Sequence, residues 1–89
     1  MASPFLHVTS VRHIGGHSLA VTFTDGAERE VDLSGELHGE VFEPLRDESV
    51  FAEAFVDPET GTVAWPNGAD FAPEFLREVG REVAVAGAR

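Results

Sequence analysis

Between Leu19 and Leu33 the chain carries a β-hairpin whose register its own side chains decide. Leu19-Ala20-Val21-Thr22-Phe23 alternates with period two, as a half-buried strand must. Thr24-Asp25-Gly26 follows, then Ala27-Glu28-Arg29-Glu30-Val31-Asp32-Leu33. A two-residue Asp25-Gly26 turn would pair Phe23 with Glu28 and Val21 with Glu30. Directly paired residues share a face, so that register sets two glutamates among the core residues. A three-residue loop pairs Phe23 with Ala27 and Leu19 with Val31 instead. The apolar face selects this second register, a type I turn plus bulge with Gly26 in the left-handed region.

Around the hairpin the rest of the domain takes shape. Val8, Val11 and Ile14 lie in a strand from Leu6 to Ile14, and their uneven spacing predicts a bulge near Thr9-Ser10. Gly15-Gly16-His17-Ser18 turns this strand into the next, making a three-stranded meander. From Ser34 to Ser49 the period-two pattern stops. Val41, Phe42 and Leu45 allow one short helical turn that Pro44 limits, and Asp47 caps a second through Val50-Phe51. A strand over Ala52–Val56, the turn Asp57-Pro58-Glu59-Thr60-Gly61, and a strand over Thr62–Trp65 make a second hairpin. Pro73 opens a helix with Phe75, Leu76 and Val79 on one side, Glu74 in its first turn, Arg77 and Arg81 towards its end, and Gly80 as its stop. The expectation is an α+β fold: an antiparallel sheet of about five strands, built from a β-meander, a short helical insert and a β-hairpin, with a C-terminal helix packed on one face. All 89 residues make one domain, with its core at about 6–80 and a flexible tail at 82–89.

Composition narrows the chemistry. With no Cys, disulfides, thiolate nucleophiles and Cys-ligated metals are excluded. With no Lys and no Tyr, Schiff-base chemistry, P-loop phosphate binding and phenolic catalysis are excluded. The serines have no nucleophile-elbow context, and the acids beside glycine turns read as caps and turn formers. No enzyme activity and no cofactor are expected. Acidic residues number 16 against 6 arginines, a formal net charge of −10, and the arginines are scattered. Such a surface repels phosphate backbones, so no direct nucleic-acid partner is expected. It either attracts a basic protein or serves solubility. No apolar run approaches a membrane span, and Met1–Leu6 has no signal-peptide pattern, so the expected location is the cytoplasm.

Few side chains remain as candidates. Asp32, Glu36, Glu40 and Glu43 form an acidic group for partner binding, with Trp65 and Asn67 at an edge. The preferred reading of Trp65 is nonetheless a core or rim aromatic packed under the last helix, and Phe42, Phe51, Phe55, Phe71 and Phe75 are read as core for the same reason. His13 and His17 flank the Ile14-Gly15-Gly16 bend as weak metal candidates, although their spacing fits no ligand motif. A small-ligand or metal-binding accessory protein is therefore the alternative function, its site lined by that bend or by Trp65-Pro66-Asn67-Gly68. Two open sheet edges suggest a homodimer.

Taken in order, Leu19-x-Val21-x-Phe23-x-Asp25-Gly26, Val31-Asp32-Leu33, Phe42-x-Pro44-Leu45-x-Asp47, Phe51 and Gly61-Thr62-Val63-x-Trp65-Pro66-Asn67-Gly68-x-Asp70-Phe71-x-Pro73-Glu74-Phe75-Leu76 resemble the DUF2442 family of small bacterial proteins. Trp65-Pro66-Asn67-Gly68-x-Asp70 is the most specific part. The resemblance implies an α+β fold and no established catalytic residues. It further implies a neighbouring small protein of the DUF4160 family as partner, in an antitoxin-like two-gene arrangement. Some relatives carry a helix-turn-helix domain after this module, and none is expected within residues 1–89.

Overall fold

The computed structural model describes residues 6–82. The meander forms as expected: β1 (Val8–Gly15), β2 (Ser18–Phe23) and β3 (Glu28–Asp32) are antiparallel neighbours. Leu19 faces Val31, and Gly26, at φ 88°, donates its N–H to the Phe23 carbonyl at 2.9 Å. The three-residue loop and its register are thus those the apolar face selects. A shift between Val8 and Ser10 places the predicted bulge at Thr9. Its effect is to return Val11 to the inner face, opposite Val21.

The insert is short and mostly irregular. A 3-10 turn at Ser34–Glu36 leads to a second at Glu43–Arg46, then to a single helical turn, α1 (Glu48–Phe51). The Asp47 carboxylate caps α1 by accepting the Ser49 N–H at 2.9 Å. The chain returns through β4 (Phe55–Asp57) and β5 (Thr62–Ala64), and α2 (Pro73–Val79) follows. Pro73 occupies the start of α2 and Gly80 its C-cap. A strand of two residues, β6 (Arg81–Glu82), closes against β3.

The expected antiparallel sheet is realised as two. The larger runs β1-β2-β3-β6, and β4-β5 is a separate ribbon. The Val8 N–H reaches the Gly61 carbonyl across the seam at 2.8 Å. Three boundaries also move. The return strand starts at Phe55 rather than Ala52, because Ala52 still donates to the Glu48 carbonyl at the end of α1. Arg81 is not a helix-terminal residue, since it lies in β6. Glu82, placed in the tail by sequence, is likewise part of β6, and residues 83–89 lie outside the described residues.

Leu19, Val21, Phe23 and Val31 from the meander meet Leu33, Leu37, Leu45 and Phe51 from the insert, Val63 and Trp65 from the ribbon and Leu76 from α2. Every contributing segment gives large apolar side chains, so no element stands without the others. Phe42, Phe71 and Phe75 are partly buried against this cluster. Phe55 is a correction: it is 41% exposed, because strand alternation on β4 turns its neighbour Val56 inward.

Candidate interaction surface

The insert crosses the molecule as an acidic band held down from below. Asp32, Glu36, Glu40, Glu43, Asp47 and Glu48 are all exposed, and Arg46 is the one arginine between them. Arg46 makes no ion pair with a carboxylate among the described residues, and its Nε–H donates to the Leu37 carbonyl at 3.0 Å. Val41, at 45% exposure, stands among these acids as an apolar tip. Helical spacing groups Val41 with Phe42 and Leu45. The 3-10 turn instead buries Leu45 and half-buries Phe42, leaving Val41 outside.

Two of the band's carboxylates are also structural. Asp32 Oδ1 accepts the Ser34 N–H at 2.9 Å, and that bond, followed by the Ser34 hydroxyl, holds its pKa below the ordinary aspartate value. Asp47 is lowered in the same way, first by the Ser49 hydroxyl at 2.7 Å and then by the Ser49 N–H. Both stay ionised well into acid, so the band keeps its charge. Glu36, Glu40 and Glu43 are exposed, with no ion pair to any arginine or histidine among the described residues.

The tryptophan-containing segment lies beneath this band, not within it. Trp65 is 1% exposed and its Nε1–H donates to the Phe51 carbonyl at 2.8 Å. Its ring lies 5.5 Å from that of Phe51 and 5.9 Å from that of Phe71. A side chain so enclosed has no face to offer a partner, so its candidacy as a contact residue is withdrawn. Asn67 is exposed but occupied: its Nδ2 donates to the Val41 carbonyl at 2.9 Å, and its Oδ1 accepts the Ala69 N–H at 3.0 Å. Trp65 and Asn67 thus clamp the insert, at Phe51 near its end and at Val41 in its middle.

The histidines turn out to be clamps as well. His13 Nε2–H donates to the Gly16 carbonyl at 2.9 Å and sits 3.7 Å from Glu48 Oε2. His17 Nε2–H donates to the Arg46 carbonyl at 2.7 Å. A carbonyl only accepts, so each Nε2 carries the proton and is not a free ligand atom. Both rings meet the Phe51 ring edge-on, at 5.9 and 5.1 Å. Glu48 Oε2 accepts the Gly16 N–H at 3.0 Å, completing the attachment of α1 to the β1–β2 turn. Among the described residues no three His, Asp or Glu side chains group as metal ligands. Sequence inspection does not single out Glu48 or Val41; the one available signal is the density of acids around them.

A concavity of about 350 Å³, open to solvent, lies between Ile14, Ser18, Glu30, Asp32, Val79 and Arg81, so Asp32 borders it at one end of the acidic stretch. Arg81 is paired there with Glu30 at 3.1 Å.

Comparison with known proteins fits this frame. The model of a family described as a protein of unknown function, DUF2442, matches residues 8–82. The chain belongs to the DUF2442 family. The solved structures include one similar to it, the crystal structure of "Putative DNA Binding Protein NE0471" from Nitrosomonas europaea ATCC 19718, at 28% identity and a TM-score of 0.63. The likeness covers 84% of the present chain and 46% of that one, so this DUF2442 chain spans just under half the length of that protein. No curated protein matches the sequence. No helix among the described residues is long and apolar enough to cross a membrane.

Proposed function

We propose that this DUF2442 chain is a non-enzymatic interaction module that docks a basic polypeptide on its acidic insert, as the antitoxin-like half of a two-protein pair. The observation that carries this reading is the exposed stretch from Asp32 to Glu48, six carboxylates against one arginine, tied down through the Val41, Arg46 and Phe51 carbonyls and with Val41 exposed within it. Mounting matters because a preordered surface loses little conformational freedom on docking. The carboxylates steer a cationic partner, and Val41 supplies an apolar contact among them. Family resemblance points to a small DUF4160 protein as that partner.

The similarity to a protein named for DNA binding favours a second reading, in which this chain contacts duplex DNA itself. Its net charge of −10 opposes that reading. One experiment separates the two. The chain is co-expressed with its genomic neighbour, and affinity is measured for the native chain and for E36Q/E40Q/E43Q. The triple variant should bind about ten-fold more weakly, mainly through slower association, with the difference shrinking at high salt. An E59Q/E74Q/E78Q control, in the β4–β5 turn and on α2, should bind as the native chain does. Equal losses in both variants, self-association alone, or direct duplex binding by the isolated chain would each overturn the docking reading.

A further inference from the structure

Asn67-Gly68 is the one Asn-Gly pair in the chain, and its three reactive atoms are all engaged. The sequence Asn-Gly is chemically labile because glycine offers no side chain to shield its amide nitrogen from the neighbouring carboxamide. That nitrogen attacks Asn67 Cγ and loses its proton. The Cγ–Nδ2 bond breaks, and ammonia leaves with the proton. Water then opens the resulting cyclic imide at either carbonyl, giving aspartate or isoaspartate; no electrons change hands.

In the fold, the attacking nitrogen is held: the Gly68 N–H donates to the Trp65 carbonyl at 2.9 Å. The leaving group is held as well, because Nδ2 donates to the Val41 carbonyl at 2.9 Å. The Ala69 N–H on Oδ1, at 3.0 Å, polarises Cγ towards attack, so reactivity is latent in the turn and is not abolished. Gly68 stands at φ 94° with open space around it, and a side chain there would be strained.

We propose that Asn67 is a site of spontaneous deamidation gated by the insert. It is shielded while it holds Val41, and it cyclises onto the Gly68 nitrogen, with water then opening the imide, when that latch opens. The step is one-way for the latch. A carboxylate at this position has no N–H to give, and it faces the Val41 carbonyl as one acceptor against another. Isoaspartate additionally lengthens the backbone of the turn. Either product releases the apolar tip and adds a negative charge beside the acidic band.

The test follows the mass gain of amide-to-acid conversion at residue 67 by peptide mapping, in mildly alkaline buffer, for the native chain and for the chain in urea. Conversion in the folded chain should be slower by at least about ten-fold, since it proceeds only through the open state. Equal rates would overturn the gating. Separately, N67D should speed hydrogen exchange at Phe42 and Glu43, whose amides donate to the Gly39 carbonyl, while β2 and β3 amides keep their rates. If N67D does not fold, the converted fraction of aged native protein, separated by charge, is measured in its place. Unchanged exchange at Phe42 and Glu43 would overturn the latch. Any consequence for partner docking rests on the function proposed above. Mass and exchange involve no partner, so failure of either proposal leaves the other standing.

Discussion

The Trp65 indole satisfies two requirements with one side chain. Its ring fills the space between Phe51 and Phe71, and its N–H satisfies the Phe51 carbonyl at the end of α1. A smaller ring without the N–H loses packing and one of the two hydrogen bonds that carbonyl accepts, the other coming from the Ala54 N–H at 3.3 Å. W65F should therefore lower unfolding free energy by about 1–3 kcal/mol, combining one lost buried hydrogen bond with a modest cavity. Urea denaturation followed by circular dichroism measures this, and a loss below about 1 kcal/mol would mean that the indole N–H contributes little. At the same scale, Arg77 lies between two partners, 2.9 Å from Asp25 Oδ2 and 5.3 Å above the Phe23 ring. It ties α2 to the tip of the hairpin loop. Polar clamps of this kind, from Trp65, Asn67, His13, His17 and Arg77, hold together elements whose apolar faces alone are small.

Between elements, Gly80 packs closely against β3. A Cβ at Gly80 would lie 2.8 Å from Arg29 Cβ, 2.9 Å from the Leu76 carbonyl oxygen and 3.0 Å from Val31 Cγ2. The glycine is required by contact and not by conformation, for its φ is −77°. G80A should therefore destabilise by about 1–3 kcal/mol, whereas G35A, with nothing within 4 Å of its Cβ, should be near neutral. Thermal melts of the two variants, run side by side, check the difference. The element scale is also where sequence was most informative. Hairpin register, the Thr9 bulge, the Asp47 cap and the Pro73–Gly80 limits of the helix are set by neighbours in the chain, so local pattern contains them. The split into two sheets and the brief β6 depend on segments far apart in sequence, which periodicity does not see, whereas the outward turn of Phe55 and Val41 follows from where β4 starts and from a 3-10 turn in place of a helical one. The candidate surface divides along the same line. The acids are visible as composition, but the work of Trp65 and Asn67 as clamps under the insert appears only when residues 41, 51, 65 and 67 are brought together.

The whole molecule carries a charge of −10 and a sequence pI near 4.6, so its response to acid has two parts. Protonating exposed carboxylates first relieves mutual repulsion. Asp25, Asp32 and Asp47 act in the opposite sense. Asp25 is lowered first by the Ala27 N–H and then by Arg77, and the other two by their serine partners. Each binds a proton less readily in the folded chain than in the unfolded one. Their stabilisation is complete above the ordinary value of 3.8 and is lost as pH falls through the lower folded values. Stability should hold down to about pH 4 and drop steeply below it, and D25N/D32N/D47N should show a shallower drop from a lower plateau. Denaturation midpoints across the acid range decide this, and identical acid slopes for both chains would remove these three aspartates as the cause.

The buried indole has one more consequence. The chain has a single tryptophan and no tyrosine, so its ultraviolet emission comes from one position, at the seam between α1 and the β4-β5 ribbon. The wavelength and intensity of that light report on a single joint of the molecule, the one from which the acidic band is hung. Whatever loosens or tightens that joint writes itself into an optical signal that needs no label.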